Sequence, residues 1–384
     1  MRSKDVASST IDGAADRLVG LSHRIHANPE LGFAEHQASQ WVSEELERGG
    51  FDVRRGVAGL PTALLATAGS GPLVLGICCE YDALPDIGHA CGHNVIAAAG
   101  VGAALGLAGL ADELGITVRV FGTPAEEGGG GKILMLDHGV FEGTHAAMMV
   151  HPSPEERAAS RMIAVAHFEV EYTGKPAHAA AYPQNGINAA DALTIAQVGI
   201  GLLRQHILPG DRIHGIVTRG GEAPNIVPAR TTAAYYVRAE TLEGVDALMP
   251  RVNACFQAGA IATGSTFTSS DESPPYAEFR NDATMVDLYR ANAESLGRLL
   301  PDGSAGEGVA LGSTDMGNIS RAMPAIHPMI AIECGDSGNH QPEFARHCAS
   351  PSADTAIIQS STAMAWTCID LATDDSQRQR LTAT

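Results

Sequence analysis

Apolar residues recur at Leu18, Leu21 and Ile25 within residues 11–27, the spacing of one helical face. Asn28-Pro29 ends that pattern, because proline cannot continue a helix. Residues 34–48 carry a second amphipathic pattern, closed by Gly49-Gly50. Beyond it the period changes. Residues 72–79 (PLVLGICC), 116–121 (ITVRVF), 146–150 (AAMMV) and 327–332 (HPMIAI) are short apolar runs bounded by turn residues. Such runs suit strands covered on both faces. With helical stretches between them, the outer parts of the chain predict an α/β fold: a mixed, mostly parallel sheet with helices on both faces.

The middle follows another rhythm. Residues 164–172 alternate in part, 187–207 suit a helix, 212–219 and 231–240 suit strands, 242–262 a helix and 266–270 a last strand. The order β-α-β-β-α-β is that of a ferredoxin-like α+β unit. The chain therefore divides into 1–163, an inserted 164–275, and 276–384, with linker-like pieces at 69–72 and 301–308.

Composition narrows the class. The 384 residues exceed one small domain at roughly 100–200 residues each. A chain 45% hydrophobic and 18% charged is globular rather than disordered. Its net charge of −19 repels phosphate backbones and anionic lipid, which argues against nucleic acid and membrane surfaces as partners. Seven cysteines without a paired framework suit a reducing compartment, and the first 20 residues lack the apolar run of a signal peptide. Residues 95–111 are uncharged but rich in Ala and Gly, which reads as a closely packed buried helix. These features predict a soluble, cytoplasmic protein.

The polar residues that a core does not need share one position. Glu80-Tyr81-Asp82 follows the first apolar strand, with Cys91-Gly92-His93 in the loop beyond. Glu126-Glu127 follows the second, His151 the third, and His340 lies past the last. In open α/β sheets, ligands bind beyond the carboxyl ends of the strands. Cys91, His93, Glu127, His151 and His340 are thiolate, imidazole and carboxylate donors suited to zinc-type ions, and five donors suit two ions better than one. Taken singly, each histidine reads as structural; their joint placement is what points to a metal. Neighbours on an extended loop point in opposite directions, so one of Glu126 and Glu127 can ligate while the other acts as general base. Cys91 with His93 as a thiol nucleophile and its base is the rival chemistry, and it leaves Glu126, Glu127 and His151 unexplained. No Gly-x-Ser-x-Gly or His-Glu-x-x-His occurs, and Gly131-Lys132 is followed by Ile133 rather than the Ser or Thr of a phosphate loop.

Glu80-Tyr-Asp-Ala-Leu-Pro85 followed by Gly88-His-Ala-Cys-Gly-His-Asn94 resembles the signature of the aminoacylase/carboxypeptidase metallopeptidases, peptidase family M-twenty, in their amidohydrolase branch. The resemblance extends over nearly the whole chain. It includes His26-x-x-Pro29-Glu30-Leu31, Pro124-Ala-Glu-Glu127, Val150-His151-Pro152, Gly174-Lys-Pro-Ala-His-Ala-Ala180, the run from Gly220 to Pro228, Gly312-Ser-Thr-Asp-Met-Gly317 and Asn339-His340. His178 to Pro183 is most similar to aminoacylase-like dipeptidases that cleave β-alanyl-lysine-type dipeptides.

The resemblance implies a zinc-peptidase-like catalytic domain with an inserted lid and dimerisation domain. It also implies hydrolysis of a small amide, either a dipeptide or an N-acyl amino acid. Two divalent ions (Zn2+ or Mn2+, with Co2+ as a further option) would be held by Cys91, His93, Glu127, His151 and His340. Glu126 matches the general base, Asp82 a residue that orients a neighbouring ligand, and His178 a lid residue reaching the other subunit of a homodimer. Asn225 and Arg238 are candidates for holding a substrate carboxylate. Two departures stand out: Asp86 where glycine is expected, and Thr123 where glutamine is usual. A metal-binding protein of the same fold without catalysis is the alternative from another class, and the spare carboxylate of Glu126 argues against it.

Overall fold

The first amphipathic pattern folds as the helix Arg2–Ala27, whose Ile11, Leu18, Leu21 and Ile25 are buried. The second is the helix His36–Arg48. The computed structural model describes residues 2–300 and 312–383, so the expected linker at 301–308 lies outside the described residues. The strands are β1 (Asp52–Arg55), β2 (Leu64–Ala68), β3 (Leu73–Glu80), β4 (Ile116–Thr123), β5 (Ala146–Met148), β6 (His151–Ser153), β7 (Ala164–Thr173), β8 (Arg212–Arg219), β9 (Arg230–Ala239), β10 (Thr266–Asp271), β11 (Ala325–Ile326) and β12 (Met329–Ala331).

Contacts divide the chain into two units, Met1–Met162 with Phe279–Thr384, and Ile163–Glu278. In the first, a six-stranded sheet has the order β1-β2-β4-β3-β5-β11. The β4, β3, β5 and β11 neighbours pair in parallel, whereas β1, β2 and β4 pair antiparallel. The β1–β2 pair was not anticipated, because Asp52–Arg55 is a mostly exposed edge strand with no apolar run to mark it. The expected strand over 327–332 is broken: β11 pairs with β5, β12 pairs with β6, and His327 falls in the break between them. The uncharged stretch forms the helix His93–Ala108, buried along nearly its whole length. Small residues permit that burial; a Cβ on Gly102 would stand 2.2 Å from Ser361 Oγ. No helix among the described residues is long and apolar enough to cross a membrane.

The second unit is an antiparallel sheet of order β10-β7-β9-β8 with the helices Ala189–Leu203 and Leu242–Thr263. Phe168, Val170, Tyr172, Tyr235 and Phe256 are buried in its core. Strand and helix order are those the sequence pattern predicts, which makes this an α+β unit inserted into an α/β one.

Candidate metal centre

Cys91 and His93 leave the β3 strand through a loop in which Gly92 adopts φ 84°. A Cβ there would lie 2.4 Å from Pro152 Cγ, so the loop tolerates only glycine where it passes the His151 segment. His93 opens its helix, fully buried. Its Nδ1 lies 3.0 Å from Asp82 Oδ1, and Asp82 Oδ2 accepts from the Glu127 N–H at 3.0 Å. Asp82 thus fixes the His93 ring and the Glu127 backbone together. With Nδ1–H given to Asp82, Nε2 is the ring atom aimed inward, and it is buried without a hydrogen bond.

His151 begins β6 and places Nε2 at 3.3 Å from Cys91 Sγ, with Nδ1 2.7 Å from its neighbour's carbonyl, Pro152 O. The Cys91 thiol therefore meets His151 as well as the His93 considered from sequence spacing, the three donor atoms lying within 4.8 Å of one another. His340, at φ 68°, sits in the loop after β12 with its Nε2 3.4 Å from Glu127 Oε1. Its N–H donates to Ala90 O at 2.8 Å, and Asn339 Nδ2 donates to both Cys91 O and Pro152 O. One loop is thereby tied to two others that carry donors.

Glu126 and Glu127 correct the expectation that they point apart. Ala125 has φ 57°, the segment after it is a turn rather than an extended strand, and both carboxylates lie 3.8 Å from His93 Nε2. They still differ in company. Glu127 joins Cys91 and His340, while Glu126 joins Glu80 and His93.

Among the described residues, three groups of donor atoms each lie within 4.8 Å of one another: Cys91–His93–His151, Cys91–Glu127–His340 and Glu80–His93–Glu126. The first two share Cys91 and fit divalent ions in donor chemistry as well as spacing. Burial first, then the charge of Glu127, push the Cys91 thiol well above its usual range, so a thiolate here calls for a nearby cation. Burial, then the charge of His93, pushes His151 down to about 4, the neutral form that ligation needs. Burial opposes the charged form of His93, but Asp82 and Cys91 outweigh it and raise its pKa; a cation on Nε2 would take the place of that second proton.

The third group already has a cation. Lys132, fully buried, donates through Nζ to Glu80 and to Asp315 Oδ1 at 2.7 Å, and its N–H donates to Asp315 Oδ2. Burial disfavours the ammonium, yet Asp315 and Glu80 hold its pKa well above the ordinary value. Glu126 is raised well above the carboxylate range by burial, then by Glu80, Glu127 and Asp315. Along the chain Lys132 stands out only as a phosphate-loop lysine without its Ser or Thr, and Asp315 only as part of its motif. A lysine after four glycines at a helix start carries no signal of burial. His327 was likewise read as a strand residue; it is buried, both ring nitrogens lack a hydrogen bond, and its ring centroid lies 5.5 Å from that of His151.

Asp86 is exposed at φ 64°, which explains the expectation of glycine there. Thr123 is buried and donates to Cys79 O at 3.3 Å, a packing role between β3 and β4.

The remaining candidates belong to the inserted unit. His178 is exposed, and its Nδ1 accepts the N–H groups of Ala180 and Ala181 at 3.2 and 3.1 Å. The ring proton is therefore on Nε2, which faces away as a donor. Asn225 O accepts the N–H of Ala179, so Asn225 and His178 share one end of the unit. Arg238 lies near the far end of β9, with Nε 3.3 Å from His214 Nε2. At ~3.3 Å per residue, the eight steps from Arg230 to Arg238 span roughly 26 Å. Within one chain Arg238 and Asn225 are not brought together.

Residues 79–355 match the sequence profile of Peptidase family M20/M25/M40. The mouse Xaa-Arg dipeptidase is 38% identical over 380 residues, covering 95% of this chain and 88% of that protein. The human Xaa-Arg dipeptidase is 36% identical over 384 residues, with the same shares covered. A dinuclear metal-binding peptidase of the M20 family from Bacillus subtilis shares the fold at a TM-score of 0.68 and 22% identity, over 94% of this chain and 99% of that one. A profile match over most of the chain, together with relatives of this identity along nearly its full length, means that the chain belongs to peptidase family M20/M25/M40.

Proposed function

We propose that this chain hydrolyses the amide bond of a small dipeptide or N-acyl amino acid, using two divalent ions. The observation that carries this reading is the convergence of the Cys91, His93, Glu127, His151 and His340 donor atoms, among which His93 Nε2 and Glu127 Oε1 are buried without a hydrogen bond, with Glu126 beside them and outside both Cys91 groups. Bound ions would acidify a water and polarise the scissile carbonyl. Glu126 takes the proton of the attacking water and passes it to the departing amine nitrogen as the C–N bond breaks. Its raised pKa suits it to hold that proton between the two steps. Asp82 keeps His93 and Glu127 in register. In a homodimer, His178 of the other subunit offers Nε2–H to the oxyanion that develops on the carbonyl oxygen.

The substrate is best sought among dipeptides ending in a basic residue, as the names of the mouse and human relatives suggest. The acidic net charge steers cationic substrates in the same direction. Zinc, manganese and cobalt all accept this donor set, the thiolate favouring the softer ions. A homodimer joined through the inserted unit accounts for two features. Strand β8 is a sheet edge exposing Ile216 and Val217, and the Ala189–Leu203 helix exposes Ile195, Val198 and Leu202. Two copies also let His178 and Asn225 of one subunit and Arg238 of another act on one substrate. Seven free cysteines support a reducing, cytoplasmic setting.

The test is hydrolysis of a panel by metal-stripped protein with zinc, manganese or cobalt restored. The panel holds an Xaa-Arg dipeptide, β-alanyl-lysine, N-acetyl amino acids, hippurate and p-aminobenzoyl-glutamate. Cleavage that vanishes on stripping and returns with metal is expected. Silence across the panel with metal bound would favour the non-catalytic alternative. Cleavage indifferent to chelator would favour a Cys91 nucleophile, which the Cys91–His151 contact permits and the raised thiol pKa opposes.

A further inference from the structure

Glu35 is fully buried at the N-terminal boundary of the His36–Arg48 helix and has no ion-pair partner among the described residues. A buried carboxylate without a cation is costly. Its Oε1 accepts the backbone N–H of Ala125 at 2.8 Å. Ala125 has φ 57°, a region that a residue with a Cβ enters only at a cost, and it directly precedes Glu126 and Glu127. The carbonyl of Ala125 accepts the N–H groups of Gly129 and Gly130, each at 2.9 Å. The strained residue is thus the pivot of the turn that brings both carboxylates to the same side, 3.8 Å from His93 Nε2. The segment bearing Glu35 is anchored on its other side, where the Ala83 N–H donates to Glu30 O at 2.8 Å beside Asp82.

We infer that Glu35 is a positioning residue: by accepting the Ala125 N–H it locks the left-handed turn that presents Glu126 and Glu127 together at the metal centre. The inference rests on the roles proposed above for those two residues. It also gives the side-chain oxygen a role in a buried place with no cation. A residue of this kind acts through the backbone, so what matters is an acceptor oxygen at the right reach rather than a charge.

Three variants separate this from a general packing role. Glu35→Gln keeps an acceptor oxygen. Glu35→Leu keeps the bulk and removes the acceptor. Ala125→Gly combined with Glu35→Leu lets the turn take a positive φ without strain. Cobalt affinity, measured by competition with a chromogenic chelator, is the first readout; kcat and KM on the best panel substrate are the second. Glu35→Leu should weaken cobalt binding by roughly 10–100-fold and lower kcat by a similar factor with KM within about threefold. Glu35→Gln should stay within about threefold of the parent on both readouts, and the double variant should regain at least about threefold in affinity over Glu35→Leu. Loss in Glu35→Gln equal to that in Glu35→Leu would overturn the inference. So would an unimpaired Glu35→Leu, or no recovery with Ala125→Gly. Should Glu35→Leu not fold, Glu35→Asp, one methylene too short, carries the same expectation against Glu35→Gln. A parent protein that binds cobalt but cleaves nothing would sink the proposed activity, while the affinity series would still decide the role of Glu35.

Discussion

Replacing Lys132 by methionine keeps most of the side-chain volume and removes one buried positive charge. The structure sets the size of the effect. Lys132, Glu80 and Asp315 are all fully buried, so Asp315 is left without water or its paired cation, and Glu80 keeps only His93 Nε2, at 3.5 Å. Breaking a buried ion pair from one side costs about 3–5 kcal/mol, a large share of a total stability of about 5–15. Both tryptophans, Trp41 and Trp366, lie in the unit that holds this cluster, so their fluorescence reports its unfolding alone. With a urea m-value of about 3 kcal/mol/M, near the top of the range for small proteins, the midpoint should fall by about 1–2 M. The loss should also depend on pH. Asp315 is raised by burial even beside Lys132, and without that lysine its folded-state pKa rises further above the unfolded value. The penalty is then absent below the unfolded carboxylate range and grows as pH rises through and above it, so the gap between variant and parent should widen from pH 5 to pH 8. Adding Asp315→Asn should recover part of the loss. A midpoint within about 0.3 M of the parent at pH 8 would refute the reading of Lys132 as an obligatory buried counter-ion.

Glu126→Gln should leave metal content intact and lower kcat by ~10²–10⁴, and a loss below about tenfold would remove Glu126 from the proton-transfer role. Asp82→Ala should weaken divalent-metal affinity by about 10–100-fold through both His93 and Glu127; unchanged affinity in a competition titration would show that the two hydrogen bonds do not orient the donors. Val198→Glu with Ile216→Lys should convert a dimer to a monomer in sedimentation experiments without unfolding the inserted unit, since both side chains are exposed in the single chain. Sedimentation of the parent as a monomer would discard the dimer. Metal stripping should lower the melting temperature of the Trp-bearing unit, because ions bind the folded donor set far better than the unfolded chain; an unmoved transition would mean that the donors hold no stabilising ion.

Much of this was legible along the chain because the strongest signals are local. The succession of strands and helices along the inserted unit follows from alternation and turn residues, and the candidate donors follow from polar residues placed just after buried strands. What was not legible depends on distant partners. Glu35 and Ala125 stand far apart in sequence, and their hydrogen bond has no periodicity to announce it. His327 looked like the first residue of a strand because HPMIAI is apolar after it; the break occurs because β5 and β6 are themselves separate partners for β11 and β12.

By itself the sequence determined the two kinds of unit, the placement of the donors beyond strand ends and the family likeness, since each rests on residue type and near-neighbour spacing. Tertiary structure alone decided which donors meet. It put Cys91 against His151 as well as near His93, brought Glu126 and Glu127 to one side through a left-handed turn, and set Asn225 and Arg238 at opposite ends of one sheet. It also chose Lys132 to neutralise Glu80 and Asp315. These outcomes depend on burial and on angles between segments far apart in the chain, where a buried charge or strained backbone is tolerated only because its partner arrives from elsewhere.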